Sequence, residues 1–90
     1  MNGLDSFGTW VKVNRRALGL TQEEFARMVF CASITVRKIE SNQLRPSRDL
    51  AYSIVDKVGA PPEERELLVR WARERNESMF VQVMGHLSRV

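Results

Sequence analysis

Cysteine is almost absent from this sequence, and its scarcity excludes several kinds of site. Cys31 is the single cysteine, so neither an intrachain disulfide nor a cysteine-based zinc site can form. The single histidine, His86, has no cysteine or carboxylate close to it in sequence, which favours a surface position over a metal ligand. We therefore expect no metal and no cofactor, with Cys31 a core thiol in a reducing cytoplasm.

Long apolar runs are missing as well. No stretch approaches the roughly 18 residues that a membrane-spanning helix needs, and the first ten residues lack the basic and apolar regions of a signal peptide. The chain also has no glycine-rich phosphate loop and no Ser-His-Asp or Cys-His combination. Glu63, Glu64 and Glu66 suit the start of a helix better than a catalytic carboxylate pair. The sequence predicts neither a membrane segment nor an enzyme.

Positive charge is concentrated in the first half of the chain. Residues 1–48 hold eight basic and four acidic residues, whereas residues 49–90 hold six basic and seven acidic ones. A basic half favours a polyanionic partner such as nucleic acid. Surface helices solvated by lysine and arginine would give the same counts, so charge alone does not choose between the two interpretations.

Helical periodicity and capping residues predict two helices before residue 30. The first runs from about Phe7 to Leu18, with Ser6 as its cap and Gly19 as its end. Its apolar face is expected to carry Phe7, Trp10, Val11 and Leu18, and its opposite face Lys12, Arg15 and Arg16. Thr21 and Glu24 form a capping box for the second helix, whose apolar positions are Phe25, Ala26 and Val29, with Met28 partly buried.

Three further helices are predicted after that. The third covers about Ser33 to Ser41, with Val36 and Ile39 inward and a polar, basic outward face. The fourth begins at a Ser47 cap and reaches about Val58, where Gly59 stops it, with Leu50, Ala51, Ile54, Val55 and Val58 inward. The fifth starts near Pro61 and Pro62 and continues to about Arg75, with Leu67, Leu68, Trp71 and Ala72 buried. This pattern is typical of an all-α fold of four to five helices in one domain, residues 1–75.

The last residues, 76–90, form a tail whose structure the pattern leaves open. Met79, Phe80, Val83 and Leu87 would line one face of a helix, while residues 80–83 also suit a short strand and Gly85 weakens both. A frayed terminus is the simplest interpretation. We favour a role in dimerisation, because four large apolar residues rarely remain exposed.

Two segments carry a family resemblance. Leu-Thr-Gln-Glu-Glu-Phe-Ala at 20–26 and Thr-Val-Arg-Lys-Ile-Glu at 35–40 resemble the phage-repressor (lambda repressor and Cro-like) helix-turn-helix family. Arg-Pro-Ser at 45–47 and Gly-Ala-Pro-Pro-Glu-Glu-Arg at 59–65 are similar to one subgroup of bacterial transcription regulators in that family. The resemblance covers roughly residues 7–75, and the spacing between its two segments needs no insertion.

The resemblance implies a role for each matching residue. The helix that starts at Ser33 would enter the major groove, while Gln22 would contact a phosphate from the start of the preceding helix. Glu40 would pair with Arg15 as a structural ion pair. The positions that face bases or nearby phosphates would be Ser33, Ile34, Thr35, Arg37 and Lys38, and a segment that clamps the DNA backbone would contain Asn42, Gln43 and Arg45.

The residue chemistry is consistent with these roles. Arg37 and Lys38 carry donors that can read guanine edges, and an exposed Ile34 beside them suits a thymine methyl group.

Three positions depart from the family pattern. Phe30 stands where glycine is usual, and a non-glycine residue at positive φ costs about 1–2 kcal/mol. Ala32 stands where a serine or threonine usually caps the recognition helix, so that cap is lost unless Ser33 takes over the role. Asn42 stands where glycine usually follows the helix.

The sequence thus predicts a sequence-specific, double-stranded DNA-binding transcriptional regulator, with a repressor favoured. We expect a homodimer on a palindromic operator, in the cytoplasm of a bacterium or of a phage host and associated with the nucleoid. The alternative is a protein-interaction module, or an antitoxin, whose apolar C-terminal segment binds a partner protein. The two functions are compatible in one chain.

Overall fold

The computed structural model describes residues 6–74, and this part of the chain is all-helical, as the sequence predicts. No strand occurs among these residues. A short 3₁₀ turn, Pro62–Glu64, comes directly before the last helix. The expectations for residues 76–90, including a dimerising tail, lie outside the described residues. The five α-helices are α1 (Phe7–Ala17), α2 (Gln22–Met28), α3 (Ser33–Glu40), α4 (Arg48–Lys57) and α5 (Arg65–Arg73).

Side-chain caps define where three of the helices begin. The Ser6 hydroxyl accepts a hydrogen bond from the Thr9 amide at the start of α1, and Ser47 does the same for Leu50 at the start of α4. At α2 the capping box is complete, because Thr21 accepts from the Glu24 amide and the Glu24 carboxylate accepts from the Thr21 amide. Each cap satisfies an amide that the helix itself leaves without a partner.

Residues with a left-handed backbone conformation end or separate the helices. Gly19 and Gly59 follow α1 and α4 with φ of 74° and 79°, values that glycine adopts without steric cost. Phe30 and Asn42 lie on either side of α3 and also have positive φ, 61° and 64°. The backbone of Phe30 is therefore strained, as the family resemblance implies for this position, and the residue is 92% exposed.

The core lies between α1 and the two helices that it contacts, α3 and α5, and continues into the α2–α3 and α4–α5 pairs. Trp10 and Trp71 are buried, as predicted, and both lie against Phe7, with ring centroids 5.5 and 5.8 Å from it. Val69 is an additional core residue on α5. The predicted inward residues are fully buried at Val11, Phe25, Ala26, Val29, Val36, Ile39, Ala51, Ile54, Val55, Leu68 and Ala72, and half-buried at Leu50, Val58 and Leu67.

Some positions predicted from periodicity are wrong. Leu18 is exposed, because α1 ends at Ala17 and Leu18 lies beyond the stretch that packs on the core. Met28, the last residue of α2, is also exposed. Arg15 is buried and does not belong to the outer basic stripe of α1, which contains Lys12 and Arg16. The fifth helix begins after the 3₁₀ turn and ends at Arg73, since Glu74 is already extended.

A polar network joins α4 to α5 on the surface. Arg65 donates two hydrogen bonds to the Asp56 carboxylate, at 2.7 and 3.0 Å, and its guanidinium lies 4.2 Å from the centre of the Tyr52 ring. The hydrogen bonds from Arg65 lower the pKa of Asp56 below its ordinary value of 3.8. Among residues 6–74, no helix is both long enough and apolar enough to cross a bilayer.

Candidate nucleic-acid interface

Helix α3 carries five of the nine residues predicted to contact DNA. Val36 and Ile39 are buried against the neighbouring helices, which fixes the rotation of α3 about its axis. The same rotation leaves four of the five predicted base-facing residues exposed, while the fifth, Thr35, is half-buried. The exposed four are Ser33, Ile34, Arg37 and Lys38. Ala32 caps the helix without a side-chain hydrogen bond, so Ser33 does not act as the cap.

A buried ion pair anchors α3 to α1. Arg15 donates to both carboxylate oxygens of Glu40, from Nε at 2.7 Å and from Nη2 at 3.1 Å, and both side chains are almost fully buried. Its Nη1 atom donates to the carbonyl oxygen of Leu20 at 2.7 Å. The structure therefore brings together the two residues that the family resemblance implies as a pair. Such a bidentate pair fixes direction as well as distance.

Gln22 is tied to the same ion pair. Its Nε2 atom donates a hydrogen bond to Glu40 Oε1 at 3.0 Å, and its side chain is half-buried. Glu40, a residue of α3, therefore accepts hydrogen bonds from Arg15 of α1 and from Gln22 of α2. This arrangement gives the first side chain of α2 a defined orientation beside α3. The phosphate contact predicted for Gln22 stays a prediction.

An open depression lies between the first turns of α2 and α3. Its volume is about 390 Å³, and it is lined by Thr21, Gln22, Glu23, Ser33, Ile34 and Arg37. It thus brings together four of the predicted site residues, namely Gln22, Ser33, Ile34 and Arg37. Thr21 and Glu23 also line it. Neither was predicted as a binding residue, although both adjoin Gln22 and Thr21 was predicted as a helix cap. The other predicted residues do not line it.

The segment after α3 is held against α1. Asn42 Oδ1 accepts a hydrogen bond from the Gly8 amide at 3.2 Å, and Asn42 Nδ2 donates to the Ser6 hydroxyl at 3.0 Å. Gly8 is needed there, because a Cβ atom at this position would collide with the carbonyl oxygen of Ile39. Asn42, predicted to clamp a DNA backbone, therefore also acts as an internal brace between α3 and α1.

Gln43 and Arg45 complete the predicted clamp. Gln43 is exposed, and its backbone N–H donates to the Lys38 carbonyl oxygen at 2.8 Å, which ends α3 in a tight turn. Arg45 is exposed and donates from Nη1 to the carbonyl oxygen of Arg73 at 3.1 Å. The clamp segment is thus fastened to α1 by Asn42 and to the end of α5 by Arg45. Both attachments join residues far apart in the chain, so no local sequence pattern indicates them.

Exposed charge in the first half of the described chain is mainly positive. Only Glu23 and Glu24 are exposed carboxylates between residues 6 and 48, because Glu40 is buried with Arg15. Thr21 supplies hydrogen bonds that lower the pKa of Glu24. The exposed cations of the same region are Lys12, Arg16, Arg27, Arg37, Lys38, Arg45 and Arg48. A surface with this balance attracts polyanions.

The turn that leads into α3 contains Phe30 and Cys31. Cys31 is half-buried and packs against the core, and its burial raises the pKa of the thiol above the ordinary value. The predicted core thiol is therefore only partly enclosed. A raised pKa keeps the thiol protonated and poorly nucleophilic at neutral pH.

No group of histidine, cysteine, aspartate and glutamate residues suited to hold a metal ion occurs between residues 6 and 74. Comparison of the chain with protein-family models, with curated proteins and with solved structures found no match.

Proposed function

We propose that this chain binds double-stranded DNA in a sequence-specific manner, as a transcriptional regulator of the repressor kind. In this proposal the fold is of the phage-repressor type, and α3 is the recognition helix that enters the major groove. One observation carries the proposal. The exposed side of α3 presents Arg37 and Lys38 and no carboxylate, because the single acidic residue of the helix, Glu40, is buried and paired with Arg15.

The shape of α3 suits this task. An α-helix fits the major groove of B-DNA, and eight residues give a helix about 12 Å long, enough to reach several base pairs. The Arg15–Glu40 pair and the buried residues Val36 and Ile39 hold this helix in one orientation. A base-reading helix needs such support, since contacts to base edges depend on side-chain placement.

Phosphate contacts would supply much of the affinity. Lysine and arginine side chains bind phosphate oxygens and release counterions from DNA. Seven exposed cations against two exposed carboxylates between residues 6 and 48 support this part of the proposal. With about five phosphate contacts per monomer, we expect a log–log slope of affinity against salt near −4 to −5.

The proposal includes a homodimer on a palindromic operator, acting in the cytoplasm on the nucleoid. A single recognition helix reads only a few base pairs, and two such helices on half-sites about one helical turn apart extend the site.

Removal of residues 78–90 tests whether the tail holds the dimer. We expect a monomer by analytical ultracentrifugation, and an unchanged mass would contradict the role of the tail.

DNA binding is tested by fluorescence anisotropy with labelled duplexes at moderate salt. First, the parent is titrated with mixed-sequence DNA, and then with an operator selected from a random pool. Arg37→Ala and Lys38→Ala should each weaken operator binding while leaving the unfolding midpoint unchanged, since both side chains are exposed. Lys57→Ala is the matched control, because it removes an exposed cation from α4. Absence of binding at low salt would refute the proposal.

A second function, the binding of a protein partner, is favoured by one observation. Phe30 is 92% exposed, and Met28 is also exposed, so the end of α2 and the turn after it present two large apolar residues. Exposed aromatic residues are enriched in protein interfaces. Lack of any DNA binding at low salt would favour this second function over the first. An antitoxin that also represses its own operon would combine the two.

A further inference from the structure

Ile34 differs from the other aliphatic residues of α3. Val36 and Ile39 are 1% and 2% exposed, whereas Ile34 is 41% exposed. Its exposed neighbours on the helix surface, Ser33, Arg37 and Lys38, are polar or charged. An aliphatic side chain left in water gains free energy when another apolar group covers it.

The surroundings of Ile34 limit what that group can be. Ile34 is the single aliphatic residue among the six that line the depression, and the other five are polar or charged. An apolar groove on a protein partner would need a wider apolar patch to contact. The depression therefore fits a partner surface that offers one small apolar group among hydrogen-bonding groups.

The major groove of DNA offers such a group. The C5-methyl of thymine is the apolar feature that base edges present there, while guanine presents two acceptors, N7 and O6, to arginine or lysine. Arg37 lines the same depression as Ile34. The two residues are three positions apart, about 4.5 Å along the helix axis, which is close to the roughly 3.4 Å between neighbouring base pairs.

On these grounds we infer that Ile34 is a specificity-determining residue that contacts a thymine methyl group in the half-site, next to a guanine that Arg37 reads. The inference rests on the proposed function and adds the base composition of the target. Cytosine would be selected against, because it lacks the methyl group and would bring its amino group against an aliphatic side chain.

The first step of the test is selection of binding sites from random duplex DNA by the full chain. We expect an enriched half-site in which thymine and guanine are adjacent. Each thymine of that half-site is then replaced by deoxyuridine, which lacks the methyl group and leaves the hydrogen-bonding edge unchanged. Removal of one buried methyl group should raise Kd about fourfold at a single position.

Variants assign that effect to a residue. Ile34→Ala should bind thymine and uracil duplexes equally, because it removes the side chain that contacts the methyl group. Lys38→Ala is the matched control. It should weaken binding to both duplexes and keep the fourfold ratio between them. Circular dichroism checks that each variant is folded, as expected for exposed positions.

The outcomes separate the inference from the function on which it rests. If no sequence is enriched and no duplex binds at low salt, the proposed function fails and the inference fails with it. If a site is enriched but uracil replaces thymine at every position without loss, the inference is overturned and DNA binding stands. A thymine preference that persists in Ile34→Ala would also overturn it, since another residue would then read the methyl group.

Discussion

Replacing Phe30 by glycine should stabilise the protein. Phe30 has φ of 61°, a left-handed backbone that costs a residue with a Cβ atom about 1–2 kcal/mol. Phe30 is 92% exposed as a residue, so the substitution removes almost no buried surface. Glycine increases the entropy of the unfolded chain, which costs about 0.4–1 kcal/mol. We therefore expect Phe30→Gly to raise the free energy of unfolding by about 0.5–1 kcal/mol.

The gain is measurable in a domain of this size. A change of 0.5–1 kcal/mol corresponds to a rise in Tm of about 2–8 °C. Urea unfolding followed by the fluorescence of Trp10 and Trp71, both buried, gives the same free energy from the midpoint at constant m-value. Measurement at two protein concentrations shows whether association contributes.

Two further variants test the reasoning. Phe30→Ala keeps the Cβ atom and the strain, so its stability should stay within about 0.5 kcal/mol of the parent. Asn42→Gly relieves a similar φ of 64° but loses the hydrogen bonds to Gly8 and Ser6, so it should destabilise by about 1 kcal/mol. If Phe30→Gly and Phe30→Ala were equally destabilising, the ring itself would stabilise the native state, and backbone strain would not determine stability at this position.

Three other substitutions test the packing and the ion pairs. Gly8→Ala should destabilise by about 2 kcal/mol or more in urea unfolding, because the added methyl group collides with the backbone of α3; a neutral result would mean that α1 can shift freely. Arg15→Met should destabilise by about 3–5 kcal/mol, while the double variant Arg15→Met with Glu40→Met should recover much of that loss, since it leaves no unpaired buried charge. The folded pKa of Asp56 lies below its unfolded value of 3.8, so its pairing with Arg65 stabilises the protein above about pH 4, and this stability is lost as the pH falls through the folded pKa. The Asp56→Asn variant should therefore lose less stability than the parent when the pH falls below 4, and the difference should be under about 1 kcal/mol because the pair is exposed. The measurement is the urea midpoint as a function of pH. Parallel curves for the parent and the variant would contradict a stabilising pair between Asp56 and Arg65.

Much of the fold follows from short-range chemistry and could be predicted. Ser6, Ser47 and the Thr21–Glu24 capping box each set a helix start through bonds between residues three apart. The buried stripes of α3 and α4 follow from helical spacing in the same way. Helix ends were less predictable: Leu18 has the spacing of a core residue but lies beyond the last turn of α1, where no neighbouring helix covers it.

The candidate interface was predictable where it depends on α3 alone. The exposed positions at Ser33, Ile34, Arg37 and Lys38 follow once Val36 is inward. The attachments of Asn42 to Gly8 and of Arg45 to Arg73 span 34 and 28 residues, and local patterns contain no trace of such contacts. The placement of Gln22 on Glu40 also depends on how α2 packs against α3, which periodicity does not determine.

The burial of Glu40 has a consequence for how this protein can diversify. The exposed residues of α3 alternate along the helix with the residues that hold it in place, which are Val36, Ile39 and Glu40. We expect substitution of an exposed residue to leave this framework in place, because Glu40, the single acid of α3, is buried against Arg15 and lies away from the exposed face. Under the proposed function, a few changes at the exposed positions would alter the DNA target while the support of α3 stays the same.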